Sequence, residues 1–153
     1  MNHSFECPQC GNPRGMLDDC RQCGSEQLPI AHSDTVVLNL KFDSPSAEEA
    51  LDRLTTALRR AFELGIKAII LIHGYGASGE GGKIKWAVHD ALENNYFSDR
   101  VDEYYFGEKT PFGSDAYHAL LRRRAGLKAH LKYFKDGNAG MTILLLGSQS
   151  RNT

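Results

Sequence analysis

The most informative stretch of this sequence reads Ile69-Ile70-Leu71-Ile72-His73-Gly74-Tyr75-Gly76-Ala77-Ser78-Gly79-Glu80-Gly81-Gly82-Lys83-Ile84-Lys85-Trp86-Ala87-Val88. An apolar run ends at a histidine, a loop with five glycines follows, and a segment with helical spacing then begins with two lysines. A strand that leads through a glycine-rich turn into a helix can bind phosphate, because backbone N–H groups and the helix dipole favour an anion. A histidine at this place can carry protons near neutral pH. The stretch therefore predicts phosphate binding or phosphate chemistry.

Size and composition indicate one ordinary domain with a small appendage. The chain has 153 residues, of which 41% are hydrophobic, and its formal net charge is −1. Overall charge therefore gives no general attraction to nucleic acid, and any such binding must depend on local patches. Neither a membrane-length apolar run nor a signal peptide is visible, so we expect a soluble protein in a reducing, cytoplasmic compartment.

All four cysteines lie within the first 23 residues, as two Cys-x-x-Cys-Gly pairs separated by nine residues. Four thiolates at this spacing suit tetrahedral Zn²⁺, whereas disulfides would need an oxidising compartment. A site with four protein ligands is closed, so the metal would be structural and the segment would need it to fold. The sequence predicts a zinc ribbon over residues 1–28, with the ligands Cys7, Cys10, Cys20 and Cys23.

The remaining chain alternates between strand and helix patterns. We expect strands over residues 35–42, 67–72, 101–106 and 142–146, and helices over 44–64 and 83–94. Ser44 and Pro45 are expected to begin the first helix, as N-cap and first helical residue. Residues 107–139 form an irregular helical excursion, in which Ser114 caps a helix that Gly126 interrupts.

These elements predict an α/β fold in which a βα-βα unit is followed by two more strands. Two consecutive βα units favour parallel pairing, so we expect a two-layer sandwich with a mostly parallel four-stranded sheet. The predicted domain covers residues 35–148 and follows a linker over 29–34.

The glycine loop satisfies one nucleotide-binding motif and nearly matches a second, but its context disagrees with both. Gly74-x-Gly76-x-x-Gly79 satisfies the dinucleotide pattern, but it lies in the second strand–helix unit rather than the first. The ending Gly82-Lys83 resembles a P-loop, but Ile84 replaces the hydroxyl residue that would hold magnesium.

Four short motifs instead resemble the small MutS-related (Smr) domain family. They occur in the expected order over about 110 residues. They read Ala47-Glu48-Glu49-Ala50-Leu51, Leu71-Ile72-His73-Gly74-Tyr75-Gly76, Ile84-Lys85-Trp86-Ala87-Val88 and Gly140-Met141-Thr142-Ile143-Leu144-Leu145. The resemblance implies a compact α/β sandwich similar to the C-terminal domain of bacterial translation initiation factor 3. It also implies nucleic-acid binding and, in many members, endonuclease cleavage of DNA or RNA.

The sequence departs from the family pattern at the end of the first strand. The family has Leu-Asp-x-His there, whereas this chain has Leu38-Asn39-Leu40-Lys41. Asn39 cannot act as a base, and Lys41 is a poor proton carrier at neutral pH. Because one missing acid–base partner costs about 10²–10⁴-fold in rate, the departure predicts weak or altered cleavage.

Candidate site residues follow from the motifs. We expect His73, Lys41 and Lys85 at a catalytic position, and phosphate or nucleic-acid contacts from Gly74, Tyr75, Gly76, Lys83, Arg122, Arg123 and Arg124. Simpler alternatives stay open. His73 could simply cap its strand through a hydrogen bond to a loop carbonyl, and the charged residues could be solvated.

Three functions are consistent with the sequence. The first is a nucleic-acid-binding Smr-type domain, for RNA or DNA, with weak or altered endonuclease activity. The second is a fully active endonuclease that uses His73. The third is a protein-docking module, in which the zinc ribbon binds a larger nucleic-acid machine.

Overall fold

A computed structural model of the chain describes residues 5–41, 45–74, 81–135 and 138–147. The strands in these ranges are β1 (Phe5–Glu6), β2 (Ile30–Ala31), β3 (Thr35–Asn39), β4 (Ala68–Ile72), β5 (Val101–Phe106) and β6 (Met141–Leu146). The α-helices are α1 (Ala47–Glu63), α2 (Gly81–Glu93) and α3 (Asp115–Arg123), and two 3₁₀ segments cover Gly107–Lys109 and Ala125–Phe134. The predicted alternation of strands and helices is confirmed, and the bounds of β5 agree with the prediction.

The main sheet has four strands in the order β3-β4-β6-β5. β3 and β4 are parallel, whereas β6 is antiparallel to both of its neighbours. Three strands therefore share one direction, but two of the three neighbouring pairs are antiparallel. The expected mostly parallel sheet holds for strand direction and not for pairing, because the last strand inserts between β4 and β5.

Both faces of this sheet are covered. One apolar cluster joins alternate residues of the sheet, such as Ile69 and Leu71, to the buried faces of α1 and α2. A second cluster joins the other residues, such as Ile70, to α3 and the second 3₁₀ segment. Coverage on both faces explains why β4 is apolar throughout and why Thr142 is the one polar residue of β6. The excursion over residues 107–139 therefore adds a third layer to the two that the sequence predicts.

Helix α1 begins later than expected, with Ser46 and not Ser44 as its N-cap. The Ser46 hydroxyl accepts a hydrogen bond from the backbone N–H of Glu49 (3.1 Å), and the Glu49 carboxylate accepts one from the backbone N–H of Ser46 (2.8 Å). This reciprocal capping box stabilises the first turn. Ser44 lies outside the described residues. The predicted N-cap at Ser114 is confirmed, since its hydroxyl accepts from the backbone N–H of Tyr117 (3.1 Å).

The cysteine-rich segment packs against the first helical layer. Its strand β1 pairs with β2, so the predicted linker over 29–34 contains a strand of this segment. Phe5 and Met16 join the first apolar cluster, and the Arg60 guanidinium donates to the carbonyl oxygen of Met16 (3.2 Å). In the described part of the chain, no helix is long and apolar enough to cross a membrane.

Candidate nucleic-acid interface and metal centre

His73 follows β4 directly, and its imidazole is fully buried. Nδ1 lies 2.7 Å from the carbonyl oxygen of Gly74, and Nε2 lies 2.8 Å from the Oγ1 atom of Thr142 on β6. Because a carbonyl only accepts, Nδ1 carries the proton, and the neutral ring accepts from the Thr142 hydroxyl through Nε2. Burial lowers the pKa of His73 to about 4. This arrangement matches the alternative in which His73 caps its strand through a loop carbonyl. A proton carrier would instead need a ring nitrogen that reaches the substrate.

The backbone amide of Gly74 is not available for the phosphate contact that the sequence predicts. Its N–H donates to the carbonyl oxygen of Gly140 (3.1 Å), and the N–H of His73 donates to the same oxygen (2.9 Å). An amide that is already bonded within the fold has no free donor for a phosphate. Gly74 therefore closes the end of β4 against β6. Tyr75 and Gly76 lie outside the described residues.

Lys85 is buried, and this differs from both sequence expectations for it. Only 8% of its side chain is exposed, and its ammonium lies 2.9 Å from a carboxylate oxygen of Glu108. The hydrogen bond from Lys85 lowers the pKa of Glu108. A buried ammonium needs such a partner because burial of an unpaired charge is costly. No sequence pattern pointed to Glu108, because it lies in the first 3₁₀ segment, within the irregular excursion.

His89 lies one helical turn after Lys85, and the structure brings it to His73. The two imidazole centroids are 5.7 Å apart in an edge-to-face arrangement. Burial, followed by the charge of Lys85, lowers the pKa of His89. Nε2 of His89 is buried and has no hydrogen-bond partner within the described residues. Its spacing of four residues from Lys85 puts both side chains on one face of α2, and only the fold brings that face to His73.

Lys41 and Lys83 are exposed, in contrast to Lys85. Lys41 follows β3, and its backbone N–H donates to the side-chain oxygen of Asn39 (2.9 Å). The backbone N–H of Leu40 donates to the carbonyl oxygen of Ile72 (2.8 Å), so Lys41 lies at the edge of the sheet where β4 ends. Lys83 lies in the first turn of α2, which contains no acidic residue. The two lysines therefore belong to the edge at which the parallel strands end and α2 begins.

The arginine run is separated from these lysines. It ends α3, which packs on the opposite face of the sheet from α2. Arg123 forms an ion pair with Glu103, and the Arg124 guanidinium donates to the carbonyl oxygen of Arg123 (3.0 Å). Arg122 is exposed. The structure thus does not bring the run together with Lys83, and it gives Arg123 a structural partner.

The four cysteines form one compact cluster. One sulfur atom from each lies within 4.8 Å of all the others, with Cys7–Cys23 and Cys10–Cys20 sulfur distances of 3.6 Å. Sulfur atoms in a tetrahedral zinc site, at about 2.3 Å from the metal, are about 3.8 Å apart. Hydrogen bonds from the backbone amides of Cys10 and Cys23 lower the pKa values of the two buried thiols, Cys7 and Cys20, which favours the thiolate form at these two positions. The cluster can hold a metal ion.

Comparison with known families decides the assignment of the α/β domain. The family model of the Smr domain matches residues 44–122, slightly more than half of the 153 residues. The chain belongs to the Smr domain family. This family is known for nucleic-acid binding and nuclease activity. The family match ends within α3, before the second 3₁₀ segment and β6 of this Smr domain.

A solved structure similar to this chain is the crystal structure of the Smr domain of Thermus thermophilus MutS2. The sequence identity is 23% and the TM-score is 0.43, with 74% of this chain and 96% of the other covered. No curated protein sequence matches this chain.

Proposed function

We propose that this Smr domain binds nucleic acid through backbone phosphates, at the edge of the sheet where α2 begins. The observation that carries the proposal is the first turn of α2, which has an exposed Lys83 and no acidic residue. Amides in the first turn of a helix have no partner within the helix, and the dipole favours an anion there. The exposed Lys41, at the end of β3, adds a second cation to this edge.

We further propose that cleavage is weak or altered. General acid–base catalysis needs a group that reaches the substrate and titrates near the working pH. His73 is fully buried, uses both ring nitrogens within the fold, and has a pKa lowered by burial to about 4. Lys85 is neutralised by Glu108, and Asn39 and Lys41 replace the family's carboxylate and histidine. These features favour binding over rapid phosphodiester cleavage.

The cysteine cluster supports a structural Zn²⁺ in the N-terminal segment. Cys7, Cys10, Cys20 and Cys23 would hold the ion, and four thiolates leave no position for substrate. The metal would fix the two turns and keep β1 and β2 against α1. Reduced thiols of this kind suit the cytoplasm.

Binding and cleavage can be tested on the full-length, zinc-loaded protein. Affinity for labelled single- and double-stranded RNA and DNA is measured between about 50 and 200 mM salt, where binding through several phosphates weakens steeply. Lys83→Ala is expected to weaken binding and to reduce the salt dependence by about one phosphate contact. The matched control is Lys67→Ala, since Lys67 is exposed just before β4, at the opposite edge. Affinity that ignores salt, or equal effects of both variants, would contradict the proposal.

Cleavage is measured with the same labelled strands, with and without added divalent metal. We expect little product from the wild type and no further loss in His73→Ala beyond the loss of folded protein. Rapid cleavage that His73→Ala abolishes, in a variant shown by circular dichroism to be folded, would favour the active-endonuclease alternative.

A protein-docking role is favoured by one separate observation on the cysteine-rich segment. Leu28 and Ile30 are 42% and 44% exposed, although both are large and apolar. Apolar residues that remain exposed in a small segment can contact a partner protein. Ile30→Ser is expected to weaken such docking without changing the affinity for nucleic acid, so parallel measurements with purified ribosomes and with free RNA separate the two functions.

A further inference from the structure

Four aromatic rings form a continuous row where α2 contacts the edge strand β5, here named the aromatic row. It consists of Trp86, His89, Phe106 and Tyr104. His89 stacks on Phe106 with centroids 3.7 Å apart and an interplanar angle of 13°. The Trp86 ring meets the edge of His89 at 5.5 Å, and Tyr104 lies 5.3 Å from Phe106. The row is held by both elements, so its geometry exists before any ligand binds.

The two ends of the aromatic row are open to solvent. Trp86 is 64% exposed and Tyr104 is 37% exposed. His89 is only 5% exposed and packs against Trp86 and Phe106. β5 is an edge strand of the sheet, and among the residues that the structure describes no further strand covers this side. The row is therefore a rigid, partly wetted aromatic surface, and its buried imidazole nitrogen Nε2 lacks a partner within the described residues.

Two cations flank the aromatic row. Lys83 precedes Trp86 by one helical turn, and the ammonium of Lys109 lies 6.0 Å from the Phe106 ring, farther along the row. The ammonium of Lys85 lies 5.2 Å from the Trp86 ring, but Glu108 neutralises it. Lys83 and Lys109 are thus cations available to an anion that follows the row.

Negative charge lies toward the other end of α2. Asp90 is exposed one turn after Trp86, and the charge of Glu93 acts on His89. A polyanion is therefore favoured along the first half of α2 and disfavoured along the second half.

We propose that the aromatic row stacks the unpaired bases of single-stranded nucleic acid, RNA or DNA, while Lys83 and Lys109 contact the neighbouring phosphates. Aromatic side chains beside a cationic track are the usual means of binding single strands, because every base has a π face. Bases within a duplex already stack on each other and cannot reach Trp86 without being displaced. The inference rests on the proposed function, since Lys83 serves both, and it adds the class of strand that this site selects.

Trp86 provides a direct readout, because it is the only tryptophan in the sequence. The experiment titrates the full-length, zinc-loaded protein with strands of about 12 nucleotides. Poly-dT, poly-U, a duplex of equal length and an abasic strand with the same phosphates are compared by fluorescence anisotropy. Quenching of the Trp86 emission is recorded in the same titrations. Bases that stack on Trp86 should quench it, whereas abasic phosphates should not.

The variants are Trp86→Ala and Trp86→Phe, with Tyr96→Ala as the control. Tyr96 is 66% exposed, but it packs on Phe97 and lies outside the aromatic row. Loss of one stacked base should raise the Kd of Trp86→Ala for single strands by roughly 5- to 150-fold. Trp86→Phe should retain most of the affinity, and Tyr96→Ala should bind as the wild type does. Thermal unfolding of each variant verifies that this exposed position leaves the fold intact.

The outcomes separate this inference from the proposed function. If no strand binds in a salt-dependent way, the proposed function fails. If abasic and base-bearing strands bind equally and Trp86 is not quenched, phosphate binding stands and base stacking is overturned. If Trp86→Ala weakens duplex binding as much as single-strand binding, selection of single strands is overturned. Comparison of poly-dT with poly-U then shows whether the DNA or the RNA strand binds more tightly.

Discussion

The Nε2 atom of His73 lies 2.8 Å from the Oγ1 atom of Thr142, and this contact joins the end of β4 to the neighbouring strand β6. Both residues are fully buried. Two residues from different family-like motifs thus complete one hydrogen-bonded unit in the core. The finding changes the expected role of the histidine, because a ring that is bonded at both nitrogens stabilises the junction of two strands.

Thr142→Val tests this structural role, because it keeps the shape of the side chain and removes its hydroxyl. A buried ring nitrogen that loses its partner costs about 1–3 kcal/mol. We expect the free energy of unfolding, measured by urea denaturation, to fall by this amount. Thr142→Ser, which retains the hydroxyl and removes only the methyl group, is the control for a change in packing at this position. A Thr142→Val protein as stable as the wild type would show that the bond contributes nothing.

The buried imidazole also predicts a pH dependence of stability. The pKa of His73 is about 4 in the folded protein, against 6.5 for an unperturbed histidine. Between pH 6.5 and about 4, His73 binds a proton in the unfolded chain but not in the folded chain. The contribution of His73 to the free energy of unfolding is therefore fully present above pH 6.5. It is lost as the pH falls toward 4, by up to about 3 kcal/mol. His89 contributes in the same direction, because its pKa is also lowered.

The measurement is urea denaturation from pH 7 to about 5, above the ordinary pKa of glutamate, and the pKa of Glu108 is lowered below that by the hydrogen bond from Lys85. His73→Gln cannot titrate, so its stability should fall less steeply over this range than that of the wild type. The control is His118→Gln, at an exposed position of α3. Equal slopes for the wild type and His73→Gln would disprove the assignment.

The Lys85–Glu108 pair predicts a coupled effect on stability. Glu108→Gln leaves the ammonium of Lys85 buried without its charged partner, and loss of one member of a buried pair is strongly destabilising. Because Glu108 is 41% exposed, we expect a loss of about 1–3 kcal/mol, at the low end of that effect. The double variant Lys85→Met/Glu108→Gln should lose less than the sum of the single variants.

Asp99→Asn is the matched control for this pair. The Nε atom of Arg100 lies 3.9 Å from the Oδ2 atom of Asp99, and the Asp99 side chain is 75% exposed. An exposed pair of this kind contributes about 0–1 kcal/mol. Strictly additive losses at Lys85 and Glu108, measured by denaturation, would show that the two side chains do not interact in solution.

Metal removal should affect the N-terminal segment first. We expect about one zinc ion per chain by elemental analysis, and chelation should release the four thiols to a thiol reagent. Hydrogen exchange of residues 5–31 should then rise to the rate of an unfolded peptide, while β4 and β6 stay protected. Cys20→Ser, which removes a buried ligand, should reproduce the effect. A metal-free protein with unchanged exchange in this segment would contradict the zinc assignment.

The regular elements could be predicted from sequence because their patterns are local. The composition of residues 101–106 shows the bounds of the strand β5, and the spacing of the four cysteines indicates that they cluster. The start of α1 was also readable, since Ser46 and Glu49 form the spacing of a capping box. The presence of Pro45 favoured Ser44 instead, and that prediction of the N-cap was wrong.

The parts that could not be predicted depend on contacts between distant residues. The position of β6 between β4 and β5 follows from packing on both faces, and no local pattern encodes strand order. The burial of Lys85 depends on Glu108, which belongs to the irregular excursion. The same holds for His73, whose two polar partners include a threonine of the last strand. Local sequence patterns identify the candidate site residues, and only the fold decides which of them reach solvent.

The central position of β6 has a consequence for biosynthesis. β4 and β5 are made first, and each presents an unsatisfied edge until the final strand of the sheet is translated. Unpaired strand edges of this kind are sites at which nascent chains associate wrongly. A chain that is released before residue 141 is translated would therefore expose the unpaired edges of β4 and β5, and we expect it to be prone to aggregation.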